Sequence, residues 1–588
     1  MTDSDILATA LKVTTADNQG RANEKNQFNA ADVFCVVILI GYFLHFAFPA
    51  VGGGFVEDEI VQIWTHWSPG ALKSLWANIC FWKGMGRPGG AVYYLLLYHF
   101  FGLNPQAYRI AQISILAASI PIAYYLARLL TSSRSIAFLA VLAFCYHGQL
   151  ANLVFSGAFS YDVGCSFFYF AALTYYIHIR EKGLLLRPMQ WVGFLALYVC
   201  ALNVKEMAVT LPVVVFIYEL LKYPEGVDPP KFSRWVLYNA SPALGAGVIT
   251  AIYCYNKIYG SGFVGNFGAQ IVEYRTKATG LDRGIATLLE FYTPRYSWHR
   301  FIESNARYVS EIFYLIPNHV LTGEMLFAIW ALLFAYAFLR RDFMLKMMAF
   351  WVVITPLPLA FIFPRGGGRL YIPLFGWAMI FAKVAWDVIT LICRCPRLLR
   401  RNLGWEPRLQ QSSGEVAADR ARWAPVTAAG RAMMGNISPV TFRVLAMVVV
   451  AFGVAVFTQW ENQRSGRIRG LPNSEQKTVH VAQALRSLNL NPAPRSMILL
   501  TPEKQFYQSG YYPAYFASLA QDNPWRQVIL ENTPRYWCYV ASLVWGNHTL
   551  QIYVEDQERF TEEQIKKMNY TISFSEFQAK LTVGPPPG

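Results

Sequence analysis

The sequence predicts an α-helical polytopic membrane protein with a small α/β region at its C-terminal end. Of its 588 residues 54% are hydrophobic and only 15% charged, against about 25% charged in an ordinary soluble domain. Mean hydropathy is positive, +0.28. The apolar residues come in runs long enough to cross a bilayer, which takes about 20 residues.

Taken in order, the runs are Val33–Val51, Ala107–Leu130, Ser135–Val154, Tyr161–Ile179, Met189–Val204 and Met207–Leu221. Trp235–Tyr255, Glu324–Leu339, Lys346–Phe363, Leu370–Cys393 and Phe442–Trp460 follow. That makes about eleven spans. Val92–Phe101 and Tyr308–Ile316 are apolar but too short to cross, and suit the interface. The net charge of +15 is not a nucleic-acid signature, because the cations sit in short stretches between the runs. Arg128 and Arg134, Arg180 to Arg187, Lys222 to Arg234, Arg340 to Lys346 and Arg394 to Arg408 mark those stretches as inner loops. The N-terminus is then inside and the C-terminus outside. Tyr and Trp gather at the ends of the runs, as in interfacial belts. No cleavable signal peptide is expected, since the first thirty or so residues are polar and the first run is long.

Five segments follow from this topology. They are a cytoplasmic segment 1–32, a transmembrane core 33–393, a basic inner loop 394–441, a last span 442–460 and an outer region 461–588. Large outer loops cover 52–106 and 256–323. Within the last region Ser496–Thr501 and Val528–Leu530 read as strands and Val479–Leu488 as an amphipathic helix. The nine cysteines are scattered; Cys393 and Cys395 lie close together but have no nearby His or second pair. His66, His99, His299 and His319 are too widely spread for a metal set. No cofactor is expected, and a divalent metal is not indicated.

Candidate chemistry lies on the outer side. Gly52, Gly53 and Gly54 let the chain turn sharply after the first span, ahead of Glu57, Asp58 and Glu59. A carboxylate near low dielectric has a raised proton affinity, which suits a general base. Arg87 stands in the same loop, and a guanidinium can hold a phosphate bidentately. Lys205 and Glu206 interrupt two runs, and charges between spans are costly unless they act. Asp162 opens another run, and Arg365 and Arg369 open the tenth. Carboxylates for base chemistry beside cations for a phosphate fit transfer from a lipid-phosphate donor.

The order of these motifs resembles the GT-C glycosyltransferase superfamily, with protein O-mannosyltransferases, aminoarabinose transferases and tetratricopeptide-containing mannosyltransferases the nearest in kind. Asp58-Glu59 matches that family's acidic pair after the first span. Arg87-Pro88 and Phe101-Gly102-Leu103-Asn104-Pro105 match its next segment. Gly157 to Asp162, Asn203 to Glu206 and Arg369-Leu370-Tyr371-Ile372-Pro373 echo three further ones, the first without its Arg and the second without its Ser. The resemblance covers about residues 30 to 390 and implies a GT-C-like bundle. It further implies an inverting transfer from a polyprenyl-phosphate sugar at the outer face. Asp58 would be the base and Glu59 its helper; Arg87, Lys205, Arg365 and Arg369 would hold the donor phosphate, with Asp162 and Glu206 in support. The acceptor, whether protein, lipid or polysaccharide, is left open. A bacterial inner membrane is the expected location, where the sequons at Asn547 and Asn569 would have no role. A transporter or flippase of a lipid-linked or anionic solute is the rival reading, but it should show two related halves. A non-catalytic scaffold would leave the charges unexplained.

Overall fold

Helix α1 (Ala30–Ala47) starts where Asn29 and Asp32 close a capping box, each side chain bonding the other's end of the turn. A short 3-10 turn, Phe48–Gly52, and the glycines behind it bring the chain round into α2 (Glu57–Trp67). The computed structural model describes residues 28–70, 72–73, 76, 87–223, 231–257, 296–316, 319–362, 366–402, 439–464, 478–501, 535–554, 560–575 and 578–584. Arg365, the expected strand at 528–530, most of the second expected outer loop and most of the basic inner loop lie outside these residues.

Beyond α2 run α3 (Gly89–Phe101), α4 (Pro105–Thr131) and α5 (Arg134–Cys145). The short α6 (Asn152–Phe155) leads to α7 (Ser160–Glu181), α8 (Pro188–Val204) and α9 (Leu211–Leu221). Then come α10 (Phe232–Asn239), α11 (Ser241–Tyr255), α12 (Trp298–Ile312), α13 (Gly323–Leu339), α14 (Phe343–Ile354) and α15 (Leu357–Ala360). The long α16 (Tyr371–Asn402) and α17 (Pro439–Arg464) complete the bundle. Side-chain caps mark many starts: Asn104 and Pro105 open α4, Ser133 opens α5, Thr322 opens α13 and Asp342 opens α14.

Helices α4, α5, α7, α8 and α16 pack side by side at the centre. There Phe144 stacks on Tyr371, Phe170 and Phe375 fill the next layer, and Trp351 donates to the Ile372 carbonyl at 2.9 Å. Outward faces stay apolar: Phe452, Val449 and Val448 of α17 are exposed, and only 6% of that helix's apolar window is buried. Such a surface is stable against hydrocarbon and not against water. The chain is an integral membrane protein.

The sequence suggests about eleven spans, and the described helices divide more finely. Five are long and apolar enough to cross alone, and two bent pairs raise that to seven. Helices α8 and α13 are apolar but only 17 residues each. Helix α7 is 22 residues long but less apolar, since Ser166, Tyr169, Thr174, Tyr175, Tyr176 and His178 lie within it, and α9 is only 11 residues long. The interfacial pieces expected at Val92–Phe101 and Tyr308–Ile316 fall within α3 and at the end of α12.

The last described stretch holds helix α18 (478–487), β1 (Met497–Thr501), α19 (Arg535–Val544), β2 (Gln551–Val554), α20 (Glu562–Lys566), β3 (Tyr570–Ser575) and β4 (Gln578–Val583). The strand order is β2-β1-β3-β4, with β1 parallel to both neighbours and β3–β4 an antiparallel hairpin. One sequon is built into this sheet: Asn569 is buried, and its side-chain oxygen accepts from the Met497 N–H at 2.6 Å.

Candidate active site

The six residues Gly157 to Asp162, at the start of α7, are the hub on which the candidate residues converge. Gly157 lies against Glu59 so closely that a Cβ there would strike the carboxylate. Phe159 carries Arg369 above its ring at 5.1 Å. Tyr161 carries Arg87 above its ring at 5.2 Å, and its hydroxyl donates to Gln62 Oε1 at 2.6 Å while meeting His66 Nε2 at 2.9 Å. Asp162 receives Lys205 Nζ at 2.5 Å.

Each partner arrives for a local reason. Gly89 and Gly90 start α3 without side chains because Val204 and Tyr161 occupy that space, and this closeness holds Arg87 over Tyr161. Lys205 and Glu206 sit where α8 stops and a 3-10 turn begins, and from there they reach Asp162 and Arg87. Arg369 lies in the 3-10 turn Gly367–Leu370 ahead of α16. In that turn Gly367 adopts φ +73°, and its N–H donates to the buried Glu311 carboxylate at 2.7 Å.

The charges divide into paired and unpaired ones. Arg87 grips Glu206 through two nitrogens, at 2.9 and 3.2 Å, with both side chains partly exposed. Burial alone would raise the Glu206 carboxyl, but the Arg87 guanidinium beside it brings it down to about 2. Lys205 and Asp162 are both buried. Burial pushes the Lys205 ammonium down to about 8; Asp162 supports the charge while Arg87 and Arg369 oppose it. Arg369 has no carboxylate partner among the described residues; its one hydrogen bond runs to the Gly366 carbonyl at 3.5 Å.

Asp58 and Glu59 part company. Asp58 is exposed on the first turn of α2 and has no ion-pair or hydrogen-bond partner among the described residues. Glu59 is buried and bonds both terminal nitrogens of Arg109, at 3.3 and 3.2 Å. Arg109 also donates to the Gly54 carbonyl at 2.6 Å. Burial pushes the Glu59 carboxyl up, and Arg109 opposes that shift. The expectation that Glu59 assists Asp58 meets this geometry: its oxygens face Arg109 and Gly157 rather than solvent, so it braces the loop. Glu57 has no described side chain.

Sequence reasoning gave Arg109, Phe159, Tyr161 and Lys257 no role at the site and weighed His66 only for a metal set. Arg109, two residues inside an expected span, is an intramembrane charge of the kind that marks a special site. Phe159 and Tyr161 lay inside a quoted segment yet carried no role. His66 follows Asp58 and Gln62 at intervals of four residues, which lines all three along one face of α2. Burial lowers the His66 imidazole to about 4, so it is neutral beside Tyr161. Lys257, just past α11, lies in the field of Arg87 and Glu206, and burial pushes its ammonium down. Among the described residues no three His, Cys, Asp or Glu come together as a metal set.

Fold and site together define a helical membrane protein with an exposed carboxylate and an unpaired guanidinium at one end of its bundle. Among solved structures the chain is similar to the archaeal oligosaccharyltransferase AglB from Archaeoglobus fulgidus, in complex with an inhibitory peptide and a dolichol-phosphate. That likeness has 13% identity and a TM-score of 0.39, over 92% of this chain and 69% of that one. It is also similar to ArnT from Cupriavidus metallidurans bound to undecaprenyl phosphate, with 13% identity and a TM-score of 0.38, over 86% and 88% of the two chains. No family model matches the chain, and no curated protein matches it in sequence.

Proposed function

We propose that the chain is a membrane glycosyltransferase that moves a sugar from a polyprenyl-phosphate donor to an acceptor at the outer face of the membrane, with inversion. The observation that carries this reading is the division of charge around Gly157 to Asp162. Two cations are neutralised by their own carboxylates, Arg87 by Glu206 and Lys205 by Asp162, which leaves Arg369 and Asp58 available to substrates.

In the reaction, an acceptor hydroxyl or amine gives its proton to Asp58 as its oxygen or nitrogen bonds to the anomeric carbon. The bond from that carbon to the phosphate oxygen breaks, and its electron pair leaves with the phosphate. Negative charge then grows on the phosphate, where Arg369 stabilises it. A fixed cation helps most where charge develops during the reaction, because it needs no reorganisation. Arg87 and Glu206 shape the wall beside Tyr161 rather than supply free charge. Glu59 acts as the brace of α2.

The experiment is transfer by the purified protein from a labelled polyprenyl-phosphate sugar pool to a panel of acceptors. Wild type transfers the label, and Asp58→Asn loses transfer while keeping its thermal unfolding profile. Undiminished transfer by Asp58→Asn would remove Asp58 as the base.

A further inference from the structure

Helix α2 is clasped from two sides. Its bundle side is buried through Glu59, Ile60 and Ile63, and Gln62 and His66 tie it to Tyr161. Its other side meets α19, which comes from the far end of the chain. Trp64 packs on Tyr539 with ring centroids 4.6 Å apart, and Trp67 meets His548 at 5.9 Å. Beside them Tyr98 of α3 donates its hydroxyl to the Leu543 carbonyl at 2.7 Å, joining residues 445 apart in sequence.

The opposite face of α19 belongs to the sheet. Trp537 packs on Phe574 at 5.0 Å, Val540 and Ala541 are buried, and Cys538 Sγ meets the Ile552 carbonyl at 3.3 Å. A cavity of about 370 Å³ opens alongside, between Leu103–Gln106 and α18. Among the described residues the junction is made by these aromatic contacts and the Tyr98 hydrogen bond.

Helix α2 needs such contacts. It is 11 residues long and starts at Val56 with no side-chain cap. An isolated helix shorter than about 12–15 residues is marginal even with good helix formers. What keeps α2 wound, and so keeps Asp58 in place, must come from the groups packed on it.

We propose that the C-terminal α/β segment is a clamp for α2, with Tyr539 a positioning residue that acts on Asp58 through Trp64. This rests on the reading in which Asp58 is the base. Asp58 lies six residues before Trp64, about 9 Å along the helix axis. Loosening Trp64 lets the first turns of α2 fray, and the carboxylate moves from its attack position. A misplacement of about 1 Å costs about 100-fold in rate.

The test compares full-length Tyr539→Ala, Tyr539→Phe and wild type in hydrogen exchange and in transfer kinetics. Tyr539→Ala should speed exchange in residues 57–67 while β1 and β3 stay protected, and should lower kcat about 100-fold with donor KM unchanged. Tyr539→Phe, which keeps the ring, should restore both. Unchanged exchange in α2, or a loosened α2 with unchanged kcat, overturns the clamp. If Tyr539→Ala disrupts the sheet, Trp64→Leu makes the same test from the other side of the contact and must give the same pair of effects. If wild type transfers no sugar, the functional reading falls; the exchange data still decide whether α19 holds α2.

Discussion

The two ends of the bundle carry similar buried charges put to different uses. At the end opposite Asp58, the buried carboxylates Asp32 and Glu219 and the partly buried Asp387 each have a cation partner among the described residues. Asp32 accepts from Arg128 at 3.2 Å, Arg134 at 3.1 Å and the Tyr124 hydroxyl at 2.9 Å, pinning α1 to α4 and α5. Glu219 takes Arg180 at 2.6 Å and the Tyr176 hydroxyl at 2.7 Å, joining α9 to α7. Asp387 takes Lys383 and the Tyr336 hydroxyl, both at 2.8 Å. These pairs fasten helix ends. At the Asp58 end the same fastening is present in Glu59–Arg109 and Asp162–Lys205, but Asp58 and Arg369 stand beside it without ion-pair partners among the described residues. A buried ion pair is thus weak evidence of chemistry. The groups left over when the pairs are accounted for are the informative ones.

That contrast breaks most readily by removing one carboxylate from each end. Asp58→Asn should lower transfer by about 100-fold or more, the scale of a positioned general base, with unfolding temperature unchanged. Asp32→Ala should do the reverse. It leaves two arginines beside an empty buried site, costing about 3–5 kcal/mol of stability, while the folded fraction keeps its specific activity. Equal loss of transfer per folded molecule in both variants would erase the distinction between the ends.

Removing a cation gives the next effect. Losing a charged hydrogen bond to a phosphate costs about 1.5–3 kcal/mol, so Arg369→Ala should lower kcat/KM for the donor roughly tenfold or more and leave acceptor KM near wild type. Arg134→Ala, whose side chain is 43% exposed, should shift stability by no more than about 1 kcal/mol and leave both constants alone. A third pair concerns space. Gly157→Ala drives a methyl into the Glu59 carboxylate and should cost about 1–3 kcal/mol by overpacking. Gly453→Ala on α17, with nothing within 4 Å, should be neutral or gain about 0.5–1 kcal/mol. Calorimetry separates the two.

The smallest effect is on pH dependence. Lys205 releases its proton at about 8 in the folded chain and at 10.5 when unfolded. Between those values the unfolded chain holds more protons, so stability rises with pH across that window. Transfer should decline there, because the Lys205–Asp162 pair beside the site loses its cation. Lys205→Gln should flatten the stability rise and remove the alkaline decline in transfer.

The sequence made some of this legible. Apolar runs locate the bundle because hydrocarbon demands them, and Asp58, Arg87, Asp162, Lys205, Glu206 and Arg369 stood out as charges beside such runs. Their pairing was not legible. Arg87 and Glu206 are 119 residues apart and Lys205 and Asp162 are 43 apart, and no local pattern says which cation meets which anion. The residues alone did not separate Asp58 from Glu59; the resemblance preferred Asp58 as base, and which of the two turns toward the bundle is set by Arg109, 50 residues away in sequence. The run expected at Met207–Leu221 divides for a related reason: a 3-10 turn, Glu206–Thr210, precedes α9, and hydropathy does not distinguish the two.

Helix α16 is 32 residues long, a rod of about 48 Å where the hydrocarbon layer is about 30 Å. Arg369 sits at the root of this rod, and Lys383 and Asp387 lie farther along it. Its last turns carry Arg394, Arg397, Arg400 and Arg401, residues that hydrocarbon does not accept, so the excess length extends past the bilayer on that side. Arg369 is thereby held near the opposite surface by a helix that cannot slide toward it without drawing four arginines into hydrocarbon.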